Sequence, residues 1–117
     1  MSVFPKKIVK GKDKFVTLHM HVDNKSGNDV LGKIVFIILK RNKKIKRIEE
    51  NVLVKSFSSI DNFYKCNIKR NFLIGRYRVD GRFYFGKNHV RSETYKNDFF
   101  DILQHKQKIL KNKYKKL

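Results

Sequence analysis

The sequence has no alanine and no tryptophan, one proline, one cysteine and only three glutamates, Glu49, Glu50 and Glu93. Each scarcity excludes something. A single thiol, Cys66, rules out an internal disulfide and a zinc site built from cysteines. No apolar run approaches the roughly 20 residues of a membrane-spanning helix. The longest, Ile34 to Leu39, has six. The N-terminus, Met-Ser-Val-Phe-Pro-Lys-Lys, is basic but lacks the apolar stretch of a secretory signal, so the expected location is cytoplasmic. Helical periodicity is missing before residue 102.

Positive charge is abundant. The 117 residues carry 29 Lys+Arg against 10 Asp+Glu, a net +19. There are 22 lysines, seven arginines and ten asparagines, a bias that AT-rich coding DNA favours. Glutamate codons suit such DNA equally well, so it does not account for the shortage of acids. A charge this large repels itself and is easiest to rationalise opposite a polyanion. The chain is also 40% hydrophobic, with ten Phe and five Tyr, enough for a packed core. Disordered basic segments are poorer in such residues. The length suits one domain.

Alternation of period two begins at Phe15. Between Phe15 and Val22 the even positions Val16, Leu18, Met20 and Val22 are apolar, while Thr17, His19 and His21 are polar, the pattern of a half-buried strand. Asp23 to Asp29 is a turn cluster rich in Asn and Gly. Gly32 to Leu39 is apolar on both faces and belongs inside a sheet. Lys40-Arg41-Asn42-Lys43-Lys44 reads as a hairpin tip. Ile45–Ile48 and Val52–Phe57 read as one interrupted strand or two short ones. Phe63 to Lys69 alternates again, with Tyr64, Cys66 and Ile68 on one side.

The best-patterned element runs from Gly75 to Phe85. Tyr77, Val79, Phe83 and Phe85 point one way, and Arg76, Arg78, Asp80, Arg82 and Tyr84 the other. Val90–Tyr95 and Phe99–Leu103 supply the last strand, interrupted near Asn97 or continuous through it. The expected organisation is a basic lead-in over 1–14, an all-β antiparallel sandwich of about seven strands over 15–103, and a tail over 104–117. The tail holds six lysines and no acid, and Leu103, Leu110, Tyr114 and Leu117 recur at helical spacing, which predicts a short basic amphipathic helix. Without it, 23 cations against 10 acids still leave +13, so the charge is not merely a property of the tail.

Leu73-Ile74-Gly75-Arg76-Tyr77-Arg78-Val79 resembles the L-x-x-G-x-Y-x-V corner of immunoglobulin-like and fibronectin type III-like sandwiches. The resemblance implies that Tyr77 bonds back to the backbone of the preceding corner, and it is silent on function. The disulfide and buried Trp of antibody domains are absent. The same corner, followed by Asp98-Phe99-Phe100, is similar in layout to the carbohydrate-binding sandwich domains of polysaccharide-export ABC transporters. No sugar-binding residue carries over from that layout.

Enzyme and metal chemistry find little footing. His19 and His21 share a strand face, but two imidazoles fall short of a zinc set, and His89 and His105 sit in a turn and the tail. Cys66 lies on an inward face and reads as a structural thiol. Glu49 and Glu50 point to opposite faces of a strand. Gly81-Arg82-Phe83-Tyr84-Phe85-Gly86 is neither a phosphate-binding loop nor the octamer of an RNA-recognition motif. Asn24-Lys25-Ser26 matches a glycosylation acceptor by chance composition. No metal or cofactor is expected.

Three basic constellations remain. Arg76, Arg78, Arg82 and Tyr84 occupy one strand face, on which alternate residues are about 6.5–7 Å apart. Guanidinium forks at that spacing can grip successive phosphates while the tyrosine stacks on a base. The hairpin supplies Lys40, Arg41, Lys43, Lys44, Lys46 and Arg47. The tail supplies Lys106, Lys108, Lys111 and Lys113. The expected role is a non-catalytic accessory protein that binds RNA or another polyanion by neutralising phosphates, within a ribonucleoprotein such as the ribosome. The alternative is a protein- or carbohydrate-binding sandwich that docks through Phe63, Tyr84 and Tyr95.

Overall fold

The period-two pattern is realised as eight strands. The computed structural model describes residues 1–69, 72–86 and 91–104, with side chains described for all of these but 91–95. The strands are β1 (Ser2–Phe4), β2 (Lys7–Val9), β3 (Phe15–Asn24), β4 (Val30–Lys40), β5 (Lys43–Val54), β6 (Ser58–Asn67), β7 (Gly75–Phe85) and β8 (Arg91–Leu103). They form a three-stranded sheet in the order β1-β3-β6 and a five-stranded sheet in the order β2-β8-β7-β4-β5. All pairings are antiparallel except β2 with β8, which is parallel.

The inner faces of the two sheets enclose one core, a sandwich-like arrangement. Val16, Leu18, Met20 and Val22 of β3 face Ile34, Phe36 and Ile38 of β4, Tyr77, Val79 and Phe83 of β7, and Phe100 and Ile102 of β8. Leu18, Phe36 and Phe100 are wholly buried. Burial of such a side chain contributes about 1.5–3 kcal/mol. The Tyr77 ring stacks against Phe72 at 5.5 Å and Phe100 at 5.2 Å. β4 is interior to its sheet, and Val35 and Leu39 are buried on its outer face as well, which is why its sequence reads apolar throughout.

Gly81 lies on the inner face of β7, where a methyl group would clash with Met1 Sδ. The absent side chain makes room for Met1 and Met20.

Two differences from expectation have plain causes. Residues 1–14 are not merely a lead-in, because β1 joins the small sheet and β2 the large one. Each is three residues long, too short to display alternation. β5 is a single strand through the polar stretch Glu49-Glu50-Asn51. As an edge strand it has solvent along one side and tolerates polar residues on both faces. The tail helix expected over 104–117 lies outside the described residues apart from its first residue, and so do Lys106, Lys108, Lys111, Lys113, His89 and His105.

Candidate polyanion interface

The hairpin between β4 and β5 turns on two residues, Arg41 and Asn42, with φ of 51° and 64°. Positive φ at both positions is the type I′ geometry whose twist matches a tight hairpin. It sets Lys40 opposite Lys43. Like charges directly opposite are unfavourable, and Lys40 turns away. Its Nζ donates to the Ile74 carbonyl at 2.8 Å and lies 5.4 Å from the centre of the Tyr77 ring. Arg47 is held by Glu49 at 2.6 Å. That bond, with Lys33 at 3.6 Å, keeps the Glu49 carboxyl below its usual range. Arg41, Lys43 and Lys44 are exposed and Lys46 is half-buried. Among the described residues no carboxylate pairs with any of these four.

The row on β7 assembles as the alternation requires. Arg76, Arg78, Arg82 and Tyr84 share the outer face of the large sheet, between β4 and β8. Its arginines are already engaged. Arg76 forks onto Asp101, with Nε at 2.8 Å and Nη2 at 3.1 Å, and its guanidinium lies 4.7 Å above the Phe99 ring. The pair lowers the Asp101 carboxyl and raises Arg76. Arg78 forks onto Asp80 at 3.0 and 3.3 Å and reaches Asn42 Oδ1 at 3.4 Å. Arg82 donates to the Tyr84 hydroxyl at 3.3 Å. With Arg47, Lys33 and Glu49 alongside, this face interleaves both signs of charge.

The hairpin has further basic neighbours that sequence reasoning left out of the site. Lys10 N donates to the Leu103 carbonyl at 2.9 Å, so the segment 10–14 crosses the end of β8. Ile68 N donates to the Lys14 carbonyl at 2.8 Å, which joins that segment to the loop after β6. Lys40 then links the hairpin to the same loop through Ile74. Lys10, Lys12, Lys14 and Lys69 therefore gather at the hairpin's end of the molecule. Lys46 and Lys69 both lie close enough to Cys66 for their charges to act on its thiol, although burial dominates and raises its pKa. The missed signal was topological: three loops between antiparallel strands must emerge at one end.

The opposite sheet face carries a different cluster. Asp61 Oδ1 meets His19 Nε2 at 2.7 Å and His21 Nδ1 at 2.9 Å, and His21 Nε2 meets Asp23 at 2.9 Å. His19 stacks on Phe63 at 4.6 Å. No group of three or more His, Cys, Asp or Glu could hold a metal ion among the described residues. Phe63 and Tyr84 lie on the outer faces of different sheets, so the two do not form one platform. The Tyr95 side chain lies outside the described residues.

Asn24 is buried and structural. Its amide donates to the carbonyls of Asn28 (2.8 Å), Val54 (3.0 Å) and Lys55 (3.2 Å). Its oxygen accepts from the Ser26 backbone and hydroxyl. The glycosylation triplet is thus committed to holding a turn. Beside it, a cleft of about 650 Å³ opens between Asn24, Val30, Val54, Phe83 and Phe85. Among the described residues no helix is long and apolar enough to cross a membrane. Compared with known proteins, the chain matches no family model and no curated protein at a significant level.

Proposed function

We propose that this chain is a non-catalytic, immunoglobulin-like accessory protein that binds RNA through its phosphates, as a component of a ribonucleoprotein such as the ribosome. The observation that carries this reading is the β4–β5 hairpin, a tight type I′ turn that projects Arg41, Lys43 and Lys44 into solvent beyond the reach of any described carboxylate. A rigid cationic tip on a +19 chain suits phosphate neutralisation more than base readout. The immunoglobulin-like part draws on the leading segment, split between β1 in one sheet and β2 beside β8 in the other, and on the Tyr77 bond to Leu73.

The test is copurification. Untreated protein should carry absorbance at 260 nm that nuclease removes, and the cleaned protein should elute from immobilised RNA only as salt rises. With about six to ten phosphate contacts, affinity should fall some 10³- to 10⁵-fold between 50 and 200 mM salt. A flat salt dependence, or no retention at low salt, overturns the reading.

A second reading, a protein- or carbohydrate-binding module, draws on the other end of the molecule. There Leu31, Leu53 and Phe57 are exposed near the cleft lined by Phe83 and Phe85. Salt-independent capture of a protein or glycan would favour it.

A further inference from the structure

The loops of a sandwich emerge at two ends, and among the described residues the two ends differ in charge. At one end lie the segment 10–14, the β4–β5 hairpin and the loop after β6, tied together by the Lys14–Ile68 and Lys40–Ile74 bonds. Its cations include Lys12, Lys14, Lys43, Lys44, Lys46 and Lys69. Asp13 is the acid among these loops, and its carboxylate accepts the Val9 amide at 2.7 Å. The other described carboxylates have partners, Asp80 and Asp101 beside this end, where Arg78 reaches Asn42 of the hairpin, and the rest away from it. Asp80, Asp101 and Glu49 balance the outer arginines, Asp23 and Asp61 the histidines, Asp98 pairs with Lys6, and Asp29 faces Lys55 across 3.6 Å.

We infer that this basic end, and not the arginine row of β7, is the RNA-binding surface, and that it takes the sugar-phosphate backbone of double-helical RNA. The inference rests on the RNA reading above and narrows it. Five strands at about 4.8 Å spacing make the end roughly 19 Å wide. Double-helical RNA is A-form and presents a wide, shallow minor groove bordered by phosphates, and an end of this width can set cations from its two margins against the phosphates on either side.

Single-stranded binders add exposed aromatic rings on which bases stack. At this end Phe72 and Tyr77 are buried, and the single exposed ring of its described loop ends, Phe15, has the Lys65 ammonium 4.7 Å above it. Double-stranded RNA is recognised by shape and phosphate contacts, without unstacked bases. A lipid surface fits less well. The tips Arg41-Asn42 and Lys10-Gly11-Lys12 are polar, so the exposed apolar side chains of these loops are confined to Leu73 and Ile74 of the loop after β6.

The experiment uses the full chain and two variants of equal charge loss. One replaces Lys12, Lys14, Lys43 and Lys44 by Gln. The other replaces Lys25, Lys33, Lys55 and Lys96 by Gln, away from the basic end. Circular dichroism melts confirm that both fold. Fluorescence anisotropy then measures an RNA hairpin of about 16 base pairs and an oligo(U) strand with as many phosphates. Vesicles containing phosphatidylserine form the third arm.

The expected result is that the full chain prefers the hairpin and the first variant loses about tenfold or more in affinity. Its salt slope should fall by about 0.7–0.9 for each phosphate that is no longer neutralised. The second variant should stay within about twofold of the parent. Equal losses in both variants overturn the location while leaving RNA binding intact. A preference for oligo(U) overturns the double-helical ligand. If the parent binds no RNA, the RNA reading and this inference fall together, and vesicle binding that only the first variant loses assigns the basic end to anionic lipid.

Discussion

The Tyr77 hydroxyl donates a 2.7 Å hydrogen bond to the carbonyl of Leu73, four residues earlier in the chain. The bond fastens the loop after β6 to the start of β7, while the ring fills the core between Phe72 and Phe100. Burial raises the Tyr77 pKa, so the hydroxyl remains a donor at neutral pH. Gly75, with φ of 138°, lets the backbone bend between the two partners without a side chain against Lys40, whose Cε is 3.1 Å from the position a Cβ would take.

Tyr77→Phe keeps the ring and removes only the hydroxyl. The loss should cost about 0.5–1.5 kcal/mol, seen as a melting temperature lowered by several degrees. RNA affinity at a fixed low temperature should not change, because the ring still holds the loop from inside. An unaltered melting curve would show that the bond contributes nothing to holding the corner.

Much of the fold was legible because burial and alternation coincide where both sheet faces differ in polarity. β3 and β7 follow this rule, and the residues on their apolar sides are the ones in the core. β6 begins earlier than its pattern suggested, at Ser58, because Ile60 is the one apolar residue between Ser58 and Asn62 that marks the inner face. The candidate site was less legible. Sequence places Arg76 and Arg78 on one face but does not show that Asp101 arrives from β8 to engage Arg76. Nor does it show that Lys14 ends beside Ile68. Both facts depend on which strands become neighbours.

The ion pair on β7 supplies a direct comparison between surfaces. Arg76→Gln should leave RNA affinity within about twofold of the parent and stability little changed, since its guanidinium is exposed. Asp101→Asn should do the opposite to binding. It releases the Arg76 guanidinium, and any phosphate it reaches adds to the salt slope. If Arg76→Gln weakens binding as much as Lys43→Gln does, the arginine row contacts RNA despite its acids. Anisotropy titrations at two salt concentrations decide the point.

Asn24 makes a stability prediction of another kind. One buried amide serves the end of β3, the following turn and the end of β5. Asn24→Ala leaves buried carbonyls without their donor, at about 1–3 kcal/mol. Asn24→Asp should be worse at neutral pH, because a carboxylate would face the carbonyls of Asn28, Val54 and Lys55. Urea denaturation should rank the parent above Ala and Ala above Asp. An Asp variant as stable as the parent would mean that the amide hydrogen bonds are not what holds this turn.

The histidine face responds to pH, and the direction follows from its partners. Hydrogen bonds to Asp61 and then Asp23 raise the His21 pKa above its ordinary value of 6.5. The same contacts, His19 first and His21 second, lower Asp61 below 3.8. A raised histidine contributes stability that is fully present below pH 6.5 and fades as pH rises through its folded pKa. A lowered carboxylate contributes stability present above pH 3.8 that is lost as pH falls through its folded pKa. The cluster therefore supports the small sheet most firmly in mildly acidic solution, between those limits. NMR titration of the His21 ring protons should give a midpoint above 6.5 in the parent. Asp61→Asn removes the larger of its two carboxylate partners, so the midpoint should move down toward the ordinary value. The parent's melting temperature should fall as pH rises from mildly acidic to mildly alkaline, and the variant should lose part of that dependence. A parent midpoint at or below 6.5, or one that Asp61→Asn leaves in place, would show that Asp61 does not hold the His21 proton in solution.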